Sequence, residues 1–373
     1  MAVLAGCGEG LPRPAATPSQ RGTTSRTLEN IDSLMWVQPD SALKVMLEFA
    51  GSDEADSMDV FEGHYCQVLI AELLFKNDYA QSNRTEVLKA VGYFDSIVGM
   101  NGADARGASL QRDAFLTARA HYMNGVGYYE RDSVVAACGE YLKALEMVET
   151  HFPGIETRHG TSLQPNHLPR FMALTYGRLG DLFSGQFMQE PAIVCYKKSF
   201  VFSKIEATSA TGIANLMSHL GKQYDMLKQF DSAEYYYNEG LRQLVDTNNL
   251  TFRNLVSAKA LLNYNKGNGV EPAVSDLKRM AANASDEDER LTRFVVVGDI
   301  YYDANLFDSA MVYLTKVFEN KDDVVLKRDA ARCLRDIYQT QGDSLKATYF
   351  ALYQAENPVS KAESNAQVSQ LVE

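Results

Sequence analysis

The chain has 373 residues, 46% of them apolar, which excludes wholesale disorder and allows either two or three compact domains or one repeat array. Lys plus Arg number 36 against 48 Asp plus Glu, a formal net charge of −12, and that balance argues against nucleic-acid binding, which needs a basic footprint. No run of 18 apolar residues occurs, so the chain encodes no complete transmembrane helix.

The chain begins Met1-Ala2-Val3-Leu4-Ala5-Gly6-Cys7. Leu4-Ala5-Gly6-Cys7 resembles a bacterial lipobox, in which small residues permit cleavage before a Cys that then receives lipid. The preceding apolar stretch is shorter than a signal-peptide core, and no Lys or Arg precedes it; the alternative is a frayed cytosolic N-terminus. Gly8 to Arg26 are rich in Pro, Ser, Thr and Gly and read as a tether. The expected organisation is leader and tether over 1–26, divergent helical hairpins over 27–116, a repeat array over 117–361 and a helical or disordered tail over 362–373. Cys66, Cys138, Cys195 and Cys333 form no C-x-x-C pair and lie in apolar helical stretches, so they are expected to be small buried hydrophobes.

From Leu28 onward apolar residues recur at helical spacing, and the chain reads as all-α. Leu28, Ile31, Leu34 and Met35, followed by Pro39-Asp40-Ser41-Ala42-Leu43, give a first helix pair, and Met58 to Met100 adds two more helices. An insertion between Thr150 and Arg170 holds His151, His159 and His167. Imidazoles are good metal ligands, yet no i, i+4 spacing fixes them, and Pro153, Pro165 and Pro169 favour a solvated loop. No metal or cofactor is expected.

Three stretches align with one another. Tyr176, Leu179, Gly180 and Phe183 precede Ala192 and Tyr196; Met217, Leu220, Gly221 and Tyr224 precede Ala233 and Tyr237; Phe294, Val297, Gly298 and Tyr301 precede Ala310 and Leu314. Gly at the crossing point lets two helices approach closely, while the aromatic and the Ala fill complementary space. Asp231-Ser232 and Asp308-Ser309 offer caps for the second helix. This pattern resembles the tetratricopeptide repeat. The resemblance implies a right-handed α-solenoid of helical hairpins. Weaker copies are marked by Gly125, Tyr128, Ala137 and Tyr141, by Tyr264, Ala273 and Leu277, and by Leu334, Tyr338, Ala347 and Ala351. The order of lipobox, Pro-Asp-Ser-Ala-Leu opening and Tyr-rich repeats resembles Bacteroidetes tetratricopeptide lipoproteins and membrane-linked regulators. Longer members of that group continue into a membrane span.

No H-E-x-x-H, G-x-S-x-G or G-x-x-x-x-G-K-[ST] motif is present, and the chain reads as non-enzymatic. Gly125-Val126-Gly127 suits helix packing, Gly267-Asn268-Gly269 a turn, and Asp286-Glu287-Asp288-Glu289 the start of a helix. By repeat position the concave groove should expose Tyr122, Val126 and Tyr129, then Asp181, Ser184, Lys222, Asp225 and Met226, then Asp299, Tyr302, Asp303, Arg332, Asp336 and Gln339. Asp dominates this set, which disfavours capture of a peptide C-terminal carboxylate and suits a protein or peptide with basic and apolar anchors. The leading expectation is a scaffold binding such a partner, tethered at the cell envelope through Cys7. The alternatives are the sensory region of a longer membrane-linked regulator and a glycan-binding lipoprotein; the single Trp36 counts against the last.

Overall fold

The computed structural model describes residues 18–79, 83–101, 108–154, 167–205, 209–247, 249–320 and 324–357. Cys7, His159 and the tail from 358 onward lie outside them. Sixteen α-helices and one short 3-10 turn make up the described residues, with no strand among them. The helices are α1 (Pro18–Met35), α2 (Pro39–Ala50), α3 (Val60–Lys76), α4 (Arg84–Asn101), α5 (Ala108–Tyr129), α6 (Val134–His151), α7 (Leu168–Gly185) and α8 (Gln189–Ile205). They continue with α9 (Ala210–Met226), α10 (Phe230–Arg242), α11 (Leu250–Asn265), α12 (Val270–Ala282), α13 (Glu287–Asp303), α14 (Phe307–Asn320), α15 (Val324–Thr340) and α16 (Ser344–Glu356). Odd-numbered helices are the A helices of the repeat and even-numbered ones the B helices. The chain forms two compact units: the first runs up to Leu182 and takes in 201–205, and the second comprises Phe183–Phe200 and 209–357.

One expectation fails at the start. Residues 18–26, read as tether, belong to α1. Pro18 opens that helix, where a missing N–H costs nothing, and Ser25 Oγ donates to Glu62 Oε1 at 2.6 Å. Polar composition alone is no bar to a helix when tertiary contacts hold one face.

The hairpin turns share one backbone device. Asp78, Asp132, Phe187, Lys228 and Asn305 follow the A helices with φ between 56° and 58°, and Gly267 and Gly342 occupy the same place. The next amide then reaches back five residues: Ser133 N–H to Tyr128 O at 3.0 Å, Gln229 to Tyr224 at 2.9 Å, Leu306 to Tyr301 at 2.8 Å. This is the Schellman closure, which satisfies carbonyls left over at a helix end. It starts the B helix so promptly that Gln229 becomes the N-cap of α10, without a side-chain bond, and Asp231 falls inside the first turn. The cap expected of Asp231-Ser232 is therefore not made. Asp286 does cap α13, accepting from the Glu289 amide at 2.8 Å, and Glu287, Asp288 and Glu289 fill its first turn, where carboxylates favour the helix dipole.

Within hairpins, Gly makes the close approach that the repeat requires. A Cβ on Gly221 would lie 2.4 Å from Tyr237 Cε1, one on Gly125 2.7 Å from Tyr141 Cε1, and one on Gly298 2.6 Å from Leu314 Cδ2. Ala137, Ala233 and Ala310 of the facing B helices are buried, as is Ala273 of α12. Successive hairpins are then joined through aromatic rings. Lys278 of α12 donates to the Tyr301 hydroxyl of α13 at 2.8 Å and lies 5.3 Å from the Tyr313 ring of α14; Lys197 of α8 sits 5.6 Å from Tyr224, which stacks on Tyr236. The four cysteines of the described residues are buried, and none of them is in a disulfide.

Candidate functional site

In the hairpins closed by Gly125, Gly221 and Gly298 the Gly face of the A helix packs on its B partner. The sequence places most of its candidate residues on the opposite A-helix face.

In the second unit this face brings several of them together. Tyr302 of α13 donates its hydroxyl to Asp336 Oδ2 of α15 at 3.2 Å. The Arg332 guanidinium lies 5.9 Å from the Tyr302 ring. Arg335 reaches Asp336 Oδ1 through Nε at 2.8 Å and Nη2 at 2.7 Å. Asp299 is partly buried next to Arg332, with the Cys333 thiol donating to its Oδ1 at 3.8 Å. Burial raises the Asp299 pKa to about 6; Arg332 works against this, and Asp303 and Asp329 add to it. Asp225 of α9 accepts from Asn265 Nδ2 of α11 at 3.0 and 3.1 Å, and burial raises its pKa as well. Asp303 and Lys222 are exposed, and Lys222 joins none of these contacts.

The raised Asp299 pKa has a sign that can be checked. The folded protein holds this proton more tightly than the unfolded chain, so between the ordinary carboxylate range and about pH 6 stability falls as pH rises. Asp299→Asn is therefore expected to raise unfolding stability by about 1 kcal/mol at pH 7.5, and to change it little at pH 4; urea midpoints at the two pH values read the difference.

The first unit corrects two expectations. Tyr122 and Val126 of α5, expected in the groove, are buried. The Tyr122 ring packs against Phe75 of α3, Tyr141 of α6 and Phe171 of α7, at centroid distances of 6.5, 5.7 and 5.6 Å. Helices therefore cover the α5 face that repeat position would expose. Tyr129, at the end of α5, is 39% exposed. His151 and His167 do not converge: His151 Nδ1 donates to Met147 O at 2.9 Å, and His167 stacks on Trp36 at 4.9 Å.

What the candidate set missed in this unit is ionic. Arg119 of α5, 1% exposed, reaches Asp32 of α1 with Nη1 at 2.6 Å and Nη2 at 3.0 Å. It also reaches Glu72 of α3 through Nε at 3.0 Å and through Nη2. Asp32 further accepts the Tyr65 hydroxyl at 2.6 Å and Trp36 Nε1 at 3.3 Å. Burial opposes its ionisation, but Arg119 outweighs burial and holds its pKa below the usual value. Beside it, His121 lies between Glu140 Oε2 at 2.8 Å and Asp95 Oδ1 at 3.0 Å. Burial opposes the imidazolium, yet these two bonds win and lift its pKa to about 9. Charged residues set in apolar runs, as in Val68-Leu69-Ile70-Ala71-Glu72-Leu73-Leu74, were the available signal.

No family model and no curated protein sequence matches this chain. Solved structures do match its fold. A Rap protein complexed with Competence and Sporulation Factor aligns with a TM-score of 0.59 and 10% identity, over 94% of this chain and 99% of that one. The Rap conjugation gene regulator of the plasmid pLS20, in complex with the Phr* peptide, aligns with a TM-score of 0.52 and 12% identity, over 94% of both chains. At this identity the likeness is one of fold, an all-α solenoid of helical hairpins.

Proposed function

We propose that this chain is a non-enzymatic repeat scaffold that binds a protein or peptide on the A-helix faces of its hairpins. The observation that carries the reading is the Asp299, Tyr302, Arg332 and Asp336 group. These polar side chains come from successive A helices, are joined by the Tyr302–Asp336 hydrogen bond and the Arg332–Tyr302 ring contact, and include a carboxylate kept at a raised pKa by burial. A carboxylate held at a raised pKa by burial costs stability, and such costs gather at binding surfaces. The likeness to a Rap regulator that holds the Phr* peptide supports the same reading. Asp and Tyr fit a partner with basic and apolar anchors. The lipobox-like Leu4-Ala5-Gly6-Cys7, shared with the Bacteroidetes lipoproteins that the chain resembles, supports an envelope-anchored form with lipid on Cys7.

The test is a quantitative pull-down from the native cells with wild-type chain and with Tyr302→Ala and Asp336→Asn as baits. A protein recovered by wild type and reduced about tenfold by each variant is the expected result. Recovery of the same proteins in the same amounts by all three baits overturns the reading.

A further inference from the structure

Next to the buried Arg119 network, the first unit holds two cations that the network does not neutralise. Lys76, the last residue of α3, sits with Nζ 4.2 Å from the Trp36 ring centroid. The Arg170 guanidinium of α7 lies 5.5 Å from the same centroid, and its Nη1 donates to Trp36 O at 2.8 Å. The two nearby carboxylates are already engaged. Asp32 accepts from Arg119, Tyr65 and Trp36, and both Glu72 oxygens accept from Arg119. Neither Lys76 nor Arg170 has a carboxylate in hydrogen-bond or ion-pair contact among the described residues. Counted together, Lys76, Arg119 and Arg170 against Asp32 and Glu72 leave one positive charge over, in a chain whose net charge is −12.

The ammonium of Lys76 registers that surplus. Burial lowers its pKa, Arg170 and Arg119 lower it further, and Glu72 and Asp32 oppose this without reversing it. Arg178 of α7 lies 5.0 Å from the ring of Phe75, the residue before Lys76, but it is paired with Asp181 at 3.9 Å and adds nothing to the surplus. Cations held over aromatic rings keep their hydrogen-bond donors available to an incoming acceptor. Lys76 and Arg170 approach the Trp36 ring from two different helices, α3 and α7, and so suit carboxylates on neighbouring side chains of one ligand.

We infer that Lys76 and Arg170, set around Trp36, form an anion-accepting site for the acidic side chains of a peptide segment. This rests on the reading of the A-helix faces as peptide-binding, and it gives the first unit a charge preference opposite to that of the Asp-rich face of the second.

Fluorescence anisotropy on the full chain at low salt tests the inference, with fluorescein-labelled C-amidated tetraglutamate as probe and tetralysine as its counterpart. Tetraglutamate is expected to bind wild type, and Arg170→Gln and Lys76→Met are each expected to weaken it about tenfold. Arg170 is exposed, so its variant keeps the test informative if Lys76→Met fails to fold. Asp336→Asn is expected to leave tetraglutamate binding unchanged and to weaken tetralysine. The inference is overturned if wild type ignores tetraglutamate, if Arg170→Gln binds it as well as wild type, if binding requires a free C-terminal carboxylate, or if an oligothymidylate of equal charge competes equally. Loss of the tetralysine arm alone counts against the Asp-rich face and leaves this site standing.

Discussion

Replacing Arg119 with Met is expected to destabilise the first unit by about 3–5 kcal/mol, because it strands two carboxylates that depend on one buried guanidinium. Asp32 and Glu72 each hold two Arg119 contacts, and the Glu72 side chain is 5% exposed. Met fills much the same volume, so the loss reports charge rather than a cavity. The triple variant Arg119→Met, Asp32→Asn, Glu72→Gln is expected to recover part of the loss, since neutral partners carry a smaller desolvation cost. Urea unfolding of the two variants measures both numbers. A single-variant loss under about 1 kcal/mol would show the network to be ornamental.

Gly221→Ala is expected to cost about 1–3 kcal/mol despite the better helix propensity of Ala. Its new methyl would lie 2.4 Å from Cε1 and 2.5 Å from Cδ1 of the Tyr237 ring, which is 2% exposed and has nowhere to retreat. Gly92 is the control. It lies inside α4 with nothing within 4 Å of a built Cβ, so Gly92→Ala is expected to gain about 0.5–1 kcal/mol. Thermal unfolding of the pair gives opposite signs if close approach, rather than backbone freedom, is what Gly221 supplies.

The same contrast explains what could be read in the residues alone. Gly221 with Tyr237 and Gly298 with Leu314 recur at a fixed offset because one hairpin geometry recurs, so the repeat was legible as a pattern. Register then carried Asp299, Tyr302, Arg332 and Asp336 to one surface, since their placement follows from the same hairpin. Tyr122 and Val126 obeyed that register and were still buried, because Phe75 and Phe171 come from helices whose packing on α5 no local spacing announces. The Trp36 cluster was illegible for a similar reason. Arg170 joins Trp36 across 134 residues, a separation at which sequence pattern is silent.

The interlocks within the hairpins also bear on how the chain folds. Gly125 and Tyr141, Gly221 and Tyr237, Gly298 and Leu314 are sixteen residues apart in every case. Each closes a short loop at small entropic cost, so any of these hairpins can serve as a nucleus soon after it leaves the ribosome. The Arg119 network is of another kind: it joins partners 47 and 87 residues away. Until α5 arrives, Asp32 and Glu72 have no guanidinium to receive them, so α1 and α3 wait on a later part of the chain. Within the first unit this network closes only once α5 has been made, and Arg119 is its latch.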